Sequence, residues 1–148
     1  GYDVVLTHNA LTDGLNVFAG YSKIQQNETI TDRTQKAIGA TYAVGGFTLG
    51  YQWSKDDTPG AADTYYENDA YGVSFSVNDN LTISYGVHDS DKVTDSGKVT
   101  RNLQADSLQV SYTVGGASIK VAESDVDGQN YVKGTNREGR TIALTLAF

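Results

Sequence analysis

The chain contains no cysteine, which excludes disulfides, thiolate metal sites and cysteine nucleophiles. It contains no methionine and starts at Gly1, so the N-terminus is expected to be a processed or cut end rather than an initiator. Proline occurs once. No stretch approaches the roughly 20 consecutive apolar residues of a spanning helix. That excludes a conventional membrane helix but not a membrane strand, whose apolar residues are diluted by alternation. Basic residues are the minority, 11 against 18 acidic, and the net charge of -7 argues against nucleic acid, which requires a basic face. Histidine is nearly missing, with only His8 and His88. His8 falls at a strand-to-turn junction, and His88 beside Asp89 reads as a rim residue. No nucleophile–base pairing emerges, so an enzyme is not expected, nor a cofactor.

What is present is glycine, with 16 residues, and tyrosine, with ten copies against four Phe and one Trp, in a chain only 39% apolar. Such a mixture suits short twisted strands joined by turns. The 148 residues are expected to form one domain or part of one. Two-residue alternation predicts nine strands: Tyr2 to His8, Leu15 to Ile24, Gln35 to Val44, Phe47 to Ser54, Ala70 to Val77, Leu81 to His88, Leu103 to Val114, Ala117 to Ser124 and Thr141 to Phe148. Phe18 and Ile24 break the pattern of the second. The connections alternate in length. Short ones are Ala10 to Gly14, Gly45-Gly46, Asn78 to Asn80 and Gly115-Gly116, rich in residues that accept the positive φ of tight hairpins. Long ones are the acidic stretches Glu28 to Arg33, Lys55 to Asp69, Asp89 to Arg101 and Glu123 to Glu138. Short turns at one end of a sheet and long polar connections at the other form the pattern of an outer-membrane barrel.

One strand face is apolar and the other carries Ser, Thr, Gly and Gln at mid-strand, with Lys120 the clearest charge. A soluble sheet would instead carry Lys, Glu and Arg on its solvent face. Aromatics fall at two levels of the apolar face: Tyr42, Phe47, Phe75, Tyr112 and Phe148 near the short turns, and Tyr51, Trp53, Tyr71 and Tyr85 nearer the long connections. Two aromatic girdles around an aliphatic belt are what a bilayer with two interfaces selects. The closing segment TIALTLAF places Ile142, Leu144, Leu146 and Phe148 on one face and ends on an aromatic.

With the GLNVFAGYS and FTLGYQWSKDD patterns, the Gly-Gly hairpins and the TIALTLAF ending, the chain resembles the Gram-negative general porins, specifically their C-terminal portion. The likeness is one of pattern and covers essentially the whole length. The fold it implies is all-β, an antiparallel up-and-down transmembrane barrel, of which the nine strands would be the C-terminal half of sixteen. An odd strand count leaves the two ends on opposite sides, whereas a complete barrel has an even count. Omitting the Tyr2 to His8 strand leaves about eight, compatible with an intact small barrel. The resemblance further implies that Ile142, Leu144, Leu146 and Phe148 are the signal read by the barrel-assembly machinery. It implies a homotrimer and the outer membrane as location.

The expected function is passive diffusion of ions and small hydrophilic solutes through a water-filled channel. The alternatives are a non-conducting structural or adhesive outer-membrane barrel and, more remotely, a soluble barrel with an apolar ligand. Pore-lining candidates are Lys120, Arg101, His88, Gln52 and Gln109. Lys120 is expected at mid-height, where charge sets ionic selectivity, or alternatively in a salt bridge that fills a narrow barrel. The acidic connections would instead raise local cation concentration. Asp125-Val126-Asp127-Gly128 has the spacing of part of a calcium loop without the remaining ligands, so it reads as a turn, with Asp125 and Asp127 only a weak metal candidate. Clustered carboxylates are also expected to bridge phosphates of outer-membrane lipid and lipopolysaccharide through divalent ions.

Overall fold

A computed structural model describes residues 1–26, 32–58, 64–94 and 98–146, with the side chains of 98–101 left aside. Nine strands form one antiparallel sheet in sequence order. They are β1 (Tyr2–His8), β2 (Leu15–Ile24), β3 (Arg33–Val44), β4 (Phe47–Asp57), β5 (Tyr65–Ser76), β6 (Leu81–Thr94), β7 (Lys98–Val114), β8 (Ala117–Asp127) and β9 (Arg137–Leu146). A single 3-10 turn, Gln129–Tyr131, lies between β8 and β9. Each strand pairs with its sequence neighbours, and among the described residues β1 and β9 each keep one unpaired edge. The sheet is therefore up-and-down but open.

The hairpins follow from their residues. Gly45 and Gly46 hold φ of 57° and 87°, the two positive values of a type I′ turn, which matches the strand twist. Asn78 closes its own turn, with its Oδ1 accepting from the backbone N–H of Asn80 and Leu81 at 2.9 Å each. That is the side-chain mimicry for which Asn is favoured in turns.

The strands exceed the alternating segments at the end away from the short turns. β4 runs to Asp57, β6 to Thr94 and β8 to Asp127, while β7 starts at Lys98. Much of Lys55 to Asp69 and Asp89 to Arg101, and part of Glu123 to Glu138, expected as long connections, is therefore strand, while residues 28–31 of the first acidic stretch lie outside the described residues. The physical reason is that these extensions are polar on both faces apart from isolated valines such as Val93 and Val126, so no hydrophobic period marks them, while the backbone ladder continues regardless. Among the described residues the ladder shifts register only between Lys92 and Val93.

Directly opposite residues share a face, so the ladder fixes two continuous surfaces. One joins Val44, Phe47, Phe75, Ile83, Val110, Val121 and Ile142 in a single rung. The other joins Thr41, Gly50, Gly72, Gly86, Ser107, Ser124 and Gly139. The only buried hydrophobics among the described residues are Val87 and Val93. Leu49, Leu144 and Ile142 stand 48%, 66% and 67% exposed. An apolar face this broad and this bare lacks the packing partner that a sheet in water requires.

Phe18, the pattern-breaker of β2, points to the polar face and lies over Gly39. A Cβ at Gly39 would come within 2.4 Å of the Phe18 ring and 2.7 Å of the Tyr51 carbonyl. The ring fills the gap a strand glycine leaves, as aromatic rescue of glycine does.

Candidate functional site

The polar face holds a hollow of about 670 Å³ whose lining includes Gln52, Gly72, Ser84, Gly86, His88 and Gln109. It is hollow because its rungs are built from glycine and small hydroxyl residues, which remove side-chain volume where larger residues would fill the sheet's curvature. All five pore-lining candidates lie at polar-face positions. Gln52 and His88 share one rung through Ala70. Gln109 lies two rungs and Lys120 three rungs nearer the short turns, which puts Lys120 about 20 Å along the strands from His88 at 3.3 Å per residue. Gln52, His88, Gln109 and Lys120 are exposed, and they do not converge on one point. Arg101 pairs with Lys92 through the backbone, while its side chain lies outside the described residues.

Asp125 and Asp127 are not in a turn. They are alternate residues of β8, both on the apolar face, opposite Asp106 and Gln104. Among the described residues no group of three or more His, Cys, Asp or Glu is placed to hold a metal ion. The Asp-Val-Asp-Gly run has the spacing of part of a calcium loop without its other ligands and reads as a turn in the sequence, but the strand runs through Asp125 to Asp127.

On the apolar face the aromatics Tyr42, Phe47, Phe75, Tyr112, Tyr51, Trp53, Tyr71 and Tyr85 all lie in the same surface. Phe148 lies outside the described residues. Phe47 stacks on Phe75 with ring centroids 4.4 Å apart. Toward the other end, the Tyr51 hydroxyl donates to Asp69 Oδ1 at 2.5 Å, and the Trp53 indole N–H donates to Glu67 Oε1 at 2.9 Å. These rings have apolar bodies and polar tips held by carboxylates, the arrangement suited to an apolar–aqueous boundary. Ile142, Leu144 and Leu146 continue the apolar face on β9.

The boundary itself is a feature of the ladder. Moving along the apolar face away from the short turns, the first charged residue is Lys23 in β2, Lys36 in β3, Lys55 in β4, Asp69 in β5, Asp89 in β6, Asp106 in β7, Glu123 in β8 and Arg140 in β9. In register these charges do not follow one rung. From Lys23 to Arg140 the boundary descends four same-face rungs, or eight residues, over seven strand-to-strand steps. That is about 1.1 residues, or roughly 4 Å, per strand spacing of about 4.8 Å. The line separating charge from apolar surface is thus straight, and the strands lean about 40° from its perpendicular. The lower limit of the apolar surface, from Leu15 in β2 to Leu146 in β9, descends with it. Between the two lies a band about 20 Å high, taking the eight steps from Phe47 to Lys55 and projecting their rise of about 3.3 Å each. Glu123 and Arg140, opposite each other on this boundary, form an ion pair at 2.6 Å.

Beyond the band the polar face is cross-linked. Arg33 donates through Nε to Asp56 Oδ1 at 2.9 Å and through a second nitrogen to Oδ2, and Gln35 donates to the same carboxylate at 3.1 Å. The Arg33 hydrogen bonds hold the Asp56 carboxyl below the usual aspartate range, against the opposing effect of partial burial. A second network was invisible in the sequence. The Tyr131 hydroxyl lies 2.6 Å from Ser90 Oγ. Ser90, 2% exposed, donates to Asn68 Oδ1 at 2.6 Å, so its single proton is committed and Tyr131 is the donor to it. Asn68 donates in turn to Ser54 Oγ at 3.3 Å. The Tyr131 ring also packs on Tyr66, with centroids 5.3 Å apart.

No protein-family model matches the chain, and no curated protein matches it.

Proposed function

We propose that this chain is a wall of an outer-membrane channel, a transmembrane antiparallel β-barrel whose polar face lines a water-filled lumen for passive diffusion of ions and small hydrophilic solutes. The observation that carries this reading is the inclined apolar band. Strands of membrane barrels tilt by about 35–45° and present an outward apolar band about 25 Å tall, flanked by aromatic girdles. The charge boundary here gives a lean of about 40° and a band of about 20 Å from residue register alone. A soluble sheet has no reason to hold that line straight across seven strand spacings while it cuts obliquely through the ladder.

In this reading the Tyr and Trp rings tipped by Asp69 and Glu67 sit at the outer interface, and Phe47 and Phe75 at the inner one. Lys120 faces the lumen at the depth of the band, flanked on β8 by Ile119 and Val121 on the lipid side. The free edges of β1 and β9 are the seams at which the barrel wall closes on pairing. Lipid and lipopolysaccharide then cover the outer face, the barrel-assembly machinery reads Ile142, Leu144, Leu146 and Phe148, and the channel works as a homotrimer without catalysis or cofactor.

The test is reconstitution into a planar bilayer. Stepwise openings whose ion selectivity shifts toward cations in Lys120→Glu support the reading. A folded but silent protein, or one that stays dispersed without detergent, refutes it.

A further inference from the structure

The segment between β8 and β9 does not extend away from the sheet. It folds over the polar face. Gly128 begins this course with φ 67°, and a Cβ there would lie 2.3 Å from the Asn102 carbonyl oxygen. The segment therefore rests directly on β7, and only glycine permits both the backbone conformation and the approach. Asn130 and Tyr131 follow with φ of 56° and 59°. Two consecutive non-glycine residues in the left-handed region are costly, and for a bulky aromatic such a conformation persists only where surrounding contacts impose it.

Those contacts are the ones Tyr131 makes. The segment leaves β8, and the Tyr131 side chain ends against Ser90 on β6 and Tyr66 on β5, so backbone and side chain together cross about three strand spacings, or roughly 14 Å. The turn is also closed on itself. The Gln129 backbone N–H donates to the Thr135 carbonyl at 2.9 Å, and the Thr135 hydroxyl reaches the carbonyls of Gln129 and Val132 at 2.9 and 2.7 Å. A preformed turn hung by one aromatic anchor is a fixed obstruction rather than a trailing loop. Ser90 is the next polar-face residue after His88 along β6, and His88 lines the 670 Å³ hollow. Tyr131 therefore sits on the polar face just beyond the outer end of the hollow, about 7 Å, one same-face rung, past His88.

We propose that the Gly128–Thr135 turn is a size-selecting constriction across the mouth of the channel, with Tyr131 the residue that fixes its position. The claim rests on the channel reading, so its test has one arm that does not. Lys133 is exposed at the tip of the turn, and tryptic scission after it, followed by mass spectrometry, reports docking in lipid vesicles or detergent alike. Tyr131→Phe and Ser90→Ala each remove one partner of the hydroxyl contact. Each should speed that scission about fivefold, the population change one lost hydrogen bond produces, and the double variant should gain little beyond either single one. Tyr131→Ala and Gly128→Ala should speed it further.

The second arm is swelling of phosphatidylcholine proteoliposomes in sugars of increasing size. Tyr131→Ala should admit a trisaccharide severalfold faster relative to a monosaccharide, with far-UV circular dichroism unchanged. Unchanged scission in all four variants overturns the docking. Faster scission with an unchanged size cutoff overturns the constriction. A wild-type protein that admits no sugar at all overturns the channel reading on which the constriction depends, while the scission arm still reports the docking.

Discussion

An arginine carried along one rung of the apolar face should encounter a bilayer as a profile. Leu15, Leu49, Val73 and Leu108 belong to the same rung, spread over β2, β4, β5 and β7. Because the band is inclined, they stand at different depths beneath its charged boundary. Leu108 is two residues from Asp106, Val73 four from Asp69, Leu49 six from Lys55, and Leu15 eight from Lys23. At a rise of 3.3 Å per residue and a lean of about 40°, these offsets become depths of roughly 5, 10, 15 and 20 Å. Arginine on the lipid face of a membrane barrel costs about 2–4 kcal/mol at the midplane and about 0–1 near either interface. Val73→Arg, at the midplane, should therefore lose about 2–4 kcal/mol of folding free energy in phosphatidylcholine vesicles, Leu15→Arg, at the far limit of the band, no more than about 1, and Leu108→Arg and Leu49→Arg, each about 5 Å inside a boundary, similar amounts between the two. The assay is guanidinium titration of the vesicle-folded protein, followed by Trp53 fluorescence. Leu49, Val73 and Leu108 are 48%, 37% and 50% exposed, so a sheet facing water would give costs within about 0.5 kcal/mol of one another, as for ordinary surface changes. A flat profile along the rung would refute the inclined band and the membrane with it.

Other consequences are more local. Asp56 is held below its ordinary pKa by Arg33, so its contribution is complete above the unfolded-state value of about 3.9 and disappears as pH falls through the lower folded value. Asp56→Asn should cost about 1 kcal/mol at pH 7, a figure kept small by the partial exposure of the pair, and the stability curves of the two proteins should converge in acid below pH 3.9. Gly39→Ala should destabilise by about 1–3 kcal/mol, the usual cost of overpacking. Phe18→Ala in the same chain should relieve only part of that, because the Tyr51 carbonyl also lies within 2.7 Å of the added methyl; thermal unfolding of the two single variants and the double variant reads this out.

Legibility in the sequence followed the hydrophobic period. Where one face is apolar, as from Phe47 to Trp53 or Leu81 to Val87, alternation locates the strand and its faces. Where both faces are polar, as in Lys55 to Asp57 or Asp89 to Lys92, the strand continues without a signal, and acidic composition reads as loop. Asp125 and Asp127 were misplaced for that reason. The inclined boundary was hidden for another. Each strand's own pattern is visible, but the offset between neighbours is a property of the ladder, and Lys23 and Arg140 acquire a common line only once eight strands are in register. Tyr131 gave no sign at all, because its partner Ser90 lies 41 residues away and no periodicity surrounds it. Phe18 did announce itself, as an aromatic on the wrong parity, and Gly39 was the signal that could have explained it.

The unpaired edges of β1 and β9 govern how such a chain could enter a bilayer. Both strands are exposed along their whole length, and alternate residues of an edge strand direct N–H and C=O groups outward. In hydrocarbon each unsatisfied group costs several kcal/mol, so the two edges together would oppose insertion by tens of kcal/mol. No open sheet could wait in lipid for its seam to be joined. Seam closure and membrane crossing are then a single thermodynamic step, and agents that block edge pairing should arrest the protein at the membrane surface rather than halfway through it.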